Sequence, residues 1–86
     1  MSRYTVGWTQ DAEDALADIW MQATDRAAVT AAEAAIHRQL EKDPIANGAE
    51  VSEGLRRIIA EPLVALYTVD ASRRVVEVEQ VGLYSP

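Results

Sequence analysis

Gly54-Leu-Arg-Arg-Ile-Ile-Ala-Glu-Pro-Leu-Val-Ala-Leu-Tyr-Thr-Val-Asp70, continued after a polar turn by Arg73-Arg-Val-Val-Glu-Val-Glu-Gln-Val81, decides the fold of this chain. Three short runs rich in Val, Ile, Leu and Tyr lie at Leu55 to Ala60, Leu63 to Val69 and Arg74 to Val81. Such composition fits a pleated, half-buried surface better than a helix. The connections, Glu61-Pro62 and Asp70-Ala-Ser-Arg73, are short enough to force neighbouring strands antiparallel. A three-stranded meander is expected.

Upstream, Tyr4, Val6 and Trp8 alternate with Thr5, Gly7 and Thr9, which predicts another half-buried strand. The period then changes to that of a helix. Thr9 or Asp11 can cap it, Asp11, Glu13 and Asp14 lie where the helix dipole favours anions, and Ala12, Leu16, Ile19, Trp20 and Ala23 recur on one side. Asp11, Asp14 and Asp18 form the opposite, solvated face. A second helix starts after Thr24 or Asp25 and stops at Asp43-Pro44, with Ala28, Val29, Ala32, Ala35, Ile36 and Leu40 as its buried stripe. Pro44 to Gly54 is expected to be a polar loop without regular structure.

The resulting order is β-α-α-β-β-β, an α+β fold with a helical hairpin on one face of a mainly antiparallel four-stranded sheet. The expected core includes Val6, Trp8, Leu16, Ile19, Val29, Ile36, Leu40, Leu66 and Val78. Trp8 and Trp20 are read as core anchors, because both fall on the apolar faces of their elements. His37, the one histidine, stands between Glu33 and Glu41 on a polar helical stripe and is read as solvated.

Length and charge limit what such a domain can do. At 86 residues there is room for one domain, 1–86, burying about 60 to 65% of its unfolded surface. Zero cysteines exclude a disulfide framework, a thiolate nucleophile and a cysteine zinc site. No metal or cofactor is expected. The opening residues lack the apolar run of a signal peptide and no stretch reaches the roughly 20 apolar residues of a membrane span, so a cytoplasmic location is the expectation. The net charge of −6 opposes phosphate binding, which rests on Lys and Arg.

From the strand into Trp8-Thr9, through Ile19-Trp20, Asp43-Pro44, Gly54-Leu-Arg-Arg57 and Leu66-Tyr67-Thr-Val-Asp70 to Val75-Val-Glu-Val78, the chain resembles the RelE/ParE family of type II toxin–antitoxin systems. The resemblance implies a fold of the kind just described, an antitoxin segment as partner, and one of two activities. One branch cleaves mRNA on the ribosome; the other binds gyrase. Cleavage needs a base for the ribose 2′-OH, cations for the pentavalent phosphate and an acid for the leaving oxygen.

Measured against that requirement, Arg56 and Arg57 stand where the family carries basic residues on its second strand, and by alternation only one of them can face the open side of the sheet. The third-strand cation of the endonucleases falls at Val64. Tyr84 matches a C-terminal Tyr, but no Lys, Arg or His follows Arg74, and Glu77 and Glu79 add negative charge. No catalytic residue is assigned, with Arg56, Arg57 and Tyr84 as the candidates; Arg56, Arg57, Val64, Glu77 and Tyr84 are the candidates for partner binding. The bland alternative has the two arginines paired with Glu50, Glu53 or Glu61, and Glu77 and Glu79 as a wet strand face.

The expectation is therefore a toxin-fold protein that acts by binding an antitoxin and a gyrase-like target, without efficient RNase chemistry. The alternatives are a ribosome-dependent endoribonuclease with an atypical site and a repurposed member of the fold. A homodimer through an exposed strand edge stays open, nucleic-acid binding by the chain alone is expected to be weak or absent, and no membrane association is expected.

Overall fold

Thr9 ends the first strand and starts the first helix with one side chain: its Oγ1 accepts from the Ala12 amide at 3.1 Å and donates to the Glu79 carbonyl oxygen at 3.0 Å. The computed structural model describes residues 3–85. Its elements are β1 (Thr5–Trp8), α1 (Gln10–Gln22), α2 (Arg26–Lys42), β2 (Ala49–Ser52), β3 (Leu55–Ala60), β4 (Leu63–Asp70) and β5 (Val75–Leu83). They form an α+β fold with one five-stranded sheet in the order β1-β5-β4-β3-β2. Only β1 and β5 run parallel; the other three pairings are antiparallel.

The helices begin and end where side chains can satisfy their free backbone groups. Asp25 caps α2 through the Ala28 amide at 3.0 Å. Arg26 closes α1 from outside, with Nε donating to the Trp20 carbonyl oxygen at 3.0 Å and Nη2 to that of Met21 at 2.9 Å. The Asp43 carboxylate receives the amides of Ile45 and Ala46, so the chain turns off α2 under local control.

Both helices lie on one face of the sheet. Ala12 of α1 and Val29, Ala32, Ile36 and Leu40 of α2 meet Ile58, Leu63, Ala65, Tyr67, Val76, Val78 and Val81 in one buried cluster. Val6, Trp8, Leu16 and Ile19 pack half-buried around it. Leu66 does not belong there. On β4 the residues alternate, Leu63, Ala65 and Tyr67 inward and Val64, Leu66 and Thr68 outward, so Leu66 shares the open face with Val64.

Three further expectations are corrected. The segment after Pro44 contains a fifth strand, β2, which pairs with β3 through a tight turn at Gly54 (φ 79°). Its four residues are all exposed, so it carries no apolar period by which to recognise it. Trp20 is 41% exposed and not a core anchor. It fastens the helical hairpin at the surface, donating to Thr30 Oγ1 at 3.2 Å beneath the Arg26 guanidinium, which sits 4.7 Å from the ring centroid. His37 is half-buried: its Nδ1 accepts the Trp8 indole N–H at 3.3 Å, while Nε2 lies 3.6 Å from Glu41 Oε2. No helix among the described residues is long and apolar enough to cross a membrane.

Candidate functional site

The helix-free face of the sheet is where the chain's distinctive side chains meet, and strand register decides which they are. Arg57 lies opposite Leu66, which lies opposite Gln80; Ile59 lies opposite Val64, which lies opposite Gly82. Arg57, Val64, Leu66, Gln80, Gly82 and Tyr84 line one shallow trough there. Tyr84 is held at its end by its amide, which donates to the Pro62 carbonyl oxygen at 2.9 Å.

Arg56 points the other way. Its register partner is the buried Tyr67, and its Nη2 donates to the carbonyl oxygens of Ile45 at 2.7 Å and Gly48 at 3.0 Å. Nε is buried without a partner. This guanidinium clamps the segment between α2 and β2, and of the two arginines only Arg57 is turned outward. Among the described residues neither forms an ion pair with Glu50, Glu53 or Glu61. Arg57 is also the one Lys or Arg at an outward position of the described strands.

Further along the same face the charge changes sign. Gly7, Glu77 and Thr68 lie side by side across β1, β5 and β4. A bulge between the Leu66–Gln80 and Tyr67–Val78 pairs leaves Glu79 without a strand partner, and its Oε2 meets Thr68 Oγ1 at 3.4 Å. A hydrogen bond with Glu77, then partial desolvation, then repulsion by that second carboxylate push the Glu79 carboxyl above its ordinary pKa, with Thr68 opposing. Glu77 is thus the principal cause of the raised Glu79 pKa.

The trough thus unites three of the sequence's five site candidates: Arg57, Val64 and Tyr84 come together, Glu77 lies further along the face, and Arg56 is on the other side. Leu66 and Gln80 are added. Leu66 was accessible from its i+2 spacing to Val64; the Glu79 bulge left no mark in the sequence. Among the described residues no three His, Asp or Glu side chains converge as a metal site would require.

No protein-family profile and no curated protein matches the sequence. Solved structures do match its shape. The chain is similar to the RelBE2 toxin–antitoxin complex of Mycobacterium tuberculosis (TM-score 0.81, 20% identity, covering 100% of this chain and 97% of that one). It is similar also to the chromosomal ParDE system of P. aeruginosa (0.72, 15%, 95% and 97%) and to the E. coli RelBE complex (0.63, 19%, 96% and 99%). The protein has a RelE/ParE-like toxin fold.

Proposed function

We propose that this protein is the toxin-fold member of a toxin–antitoxin module and acts by binding, to an antitoxin segment and to a protein target of the gyrase kind, without efficient RNA cleavage. One observation carries the second half of that reading. The outward strand positions hold Arg57 as their single cation, beside apolar Val64 and Leu66, with Glu77 and Glu79 on the same face. Cleavage of a phosphodiester draws several kcal/mol from cations placed around the developing charge. A lone guanidinium near two carboxylates supplies little of that, and the net charge of −6 repels the substrate. The likeness to structures solved as toxin–antitoxin complexes supports the first half.

The test is a reconstituted translation assay with the purified protein, read by primer extension on the message. No codon-dependent cleavage is the expected result. Cleavage that disappears in Arg57→Ala or Tyr84→Phe would overturn the binding reading in favour of an atypical ribosome-dependent endoribonuclease. Co-expression with the product of the adjacent reading frame tests the module itself: a stoichiometric complex is expected, and its absence would favour a repurposed member of the fold.

A further inference from the structure

Between α1, α2 and the end of β1 lies a crevice of about 540 Å³, on the helical side of the sheet and so apart from the open face. That volume is within the range of small-molecule sites. One helical stripe of α1, Glu13, Leu16, Ala17, Trp20 and Met21, makes its long wall. Thr30 and Glu33 of α2 make the other, and Trp8 closes one end. Because the hairpin is antiparallel and Trp20 bonds Thr30, Glu33 lies toward Glu13, and Trp8, bonded to His37 one turn beyond Glu33, lies there too. The two carboxylates and one indole thus share one end, and Trp20 and Met21 form the other, roughly 10 Å away along α1. The crevice has a charged end and an apolar end.

What its walls offer a ligand is one-sided. The indole N–H of Trp8 is given to His37 Nδ1 at 3.3 Å and that of Trp20 to Thr30 Oγ1 at 3.2 Å, so neither is free to receive an anion. Among the described residues no Lys, Arg or His lines the crevice, and neither Glu13 nor Glu33 forms an ion pair, although Glu33 is half-buried. Arg26 spends its guanidinium on the carbonyl oxygens of Trp20 and Met21. A carboxylate drawn partly out of water without a cation is an unfavourable arrangement that a bound cation relieves. Independently of the function proposed above, we infer that the crevice binds a small amphiphilic organic cation, an ammonium head carrying one apolar tail. The head sits against the Trp8 ring between Glu13 and Glu33, where carboxylates and the π face both attract it. The tail runs along Leu16 to Trp20 and the exposed Met21. An anion would meet two carboxylates, a polyamine would leave the apolar end unfilled, and a neutral apolar molecule would leave the carboxylates without a cation.

The chain's two tryptophans both line the crevice, so its intrinsic emission reports occupancy directly. The test titrates the whole chain with hexyltrimethylammonium, with tetramethylammonium, and with hexanol and hexanoate as the neutral and anionic counterparts, following tryptophan emission and amide resonances. Hexyltrimethylammonium should bind, shifting resonances of α1 and of α2 around Thr30 and Glu33, and the two counterparts should bind about tenfold more weakly or not at all. Replacing both carboxylates, Glu13→Gln with Glu33→Gln, should weaken the cation about tenfold at an unchanged melting temperature and leave hexanol as it was. Met21→Ser should weaken hexyltrimethylammonium and not tetramethylammonium, which has no tail. Equal binding of hexanol and the cation would overturn the inference, as would no change in emission at millimolar cation or resonance shifts confined to Glu77 and Glu79. An amphipathic helical peptide with a single lysine that bound the same resonances more tightly than hexyltrimethylammonium would overturn the small-molecule occupant.

Discussion

The hydroxyl of Tyr67, on the central strand of the sheet, donates to the carbonyl oxygen of Pro44 at 2.6 Å, and both residues are fully buried. That bond fixes the exit from α2 against the sheet, and Gly48 closes over it: a Cβ there would collide with the Tyr67 hydroxyl and with the Arg57 carbonyl oxygen. Tyr67→Phe should therefore cost about 1–3 kcal/mol, because the Pro44 carbonyl would stay buried without a donor. Gly48→Ala should cost about 1–3 kcal/mol by overpacking. Urea denaturation of both variants checks this; wild-type midpoints would mean that the segment moves aside freely.

The two adjacent arginines should separate cleanly. Arg56→Ala removes the clamp on the Ile45 and Gly48 carbonyl oxygens and should destabilise by about 1–3 kcal/mol. Arg57→Ala, on the open face, should stay within about 0.5 kcal/mol of the parent. Thermal denaturation of the pair decides it, and equal losses would contradict the opposite facings of the two side chains.

Leu40 is fully buried in the cluster between α2 and the sheet. Leu40→Ala should destabilise by about 2–5 kcal/mol, a large share of what a small domain possesses. A loss well below 1 kcal/mol would mean that the cluster closes around the smaller side chain without leaving a cavity.

Glu79 gives the expected pH dependence its sign. Its folded pKa is raised above the unfolded value, so its contribution to stability is fully present below the unfolded pKa and is lost as the pH rises through the folded one. Glu77→Gln removes the repelling charge and should bring the Glu79 titration, followed by carboxyl carbon NMR, down toward the ordinary range. It should also flatten the decline in stability across the mildly acidic window. An unchanged Glu79 titration would show that Glu77 is not its partner.

Much of this molecule could be read from spacing. The α2 stripe at Val29, Ala32, Ile36 and Leu40 and the alternation of β1 placed the layers, because each element has one buried side and a regular period. Reading failed where period gave way to individual hydrogen bonds. Trp20 looked like core by its position, but the Arg26 guanidinium and Thr30 hold it at the surface. His37 looked solvated, but the Trp8 indole chooses it as acceptor across 29 positions of sequence. The outward cation of the Arg56-Arg57 pair needed the register with Tyr67 and Leu66 to be told from its neighbour. The pairing of Glu77 with Glu79 needed a bulge that no composition signals.

The parallel pairing of β1 with β5 also has a consequence for the time at which the protein comes into being. The Thr9 hydroxyl finds the Glu79 carbonyl oxygen 70 positions away, and Val76 and Val78 supply part of the buried cluster. Contacts of such long range form late, after the entropy of closing the intervening chain has been overcome. A nascent chain arrested before Val75 has neither its full core nor the Gly7–Glu77 and Val64–Gly82 pairings of the open face, and should be cut readily by protease on the ribosome. The open face is thus assembled only once β5 has joined β4 and β1, so whatever that face binds must await the making of that strand.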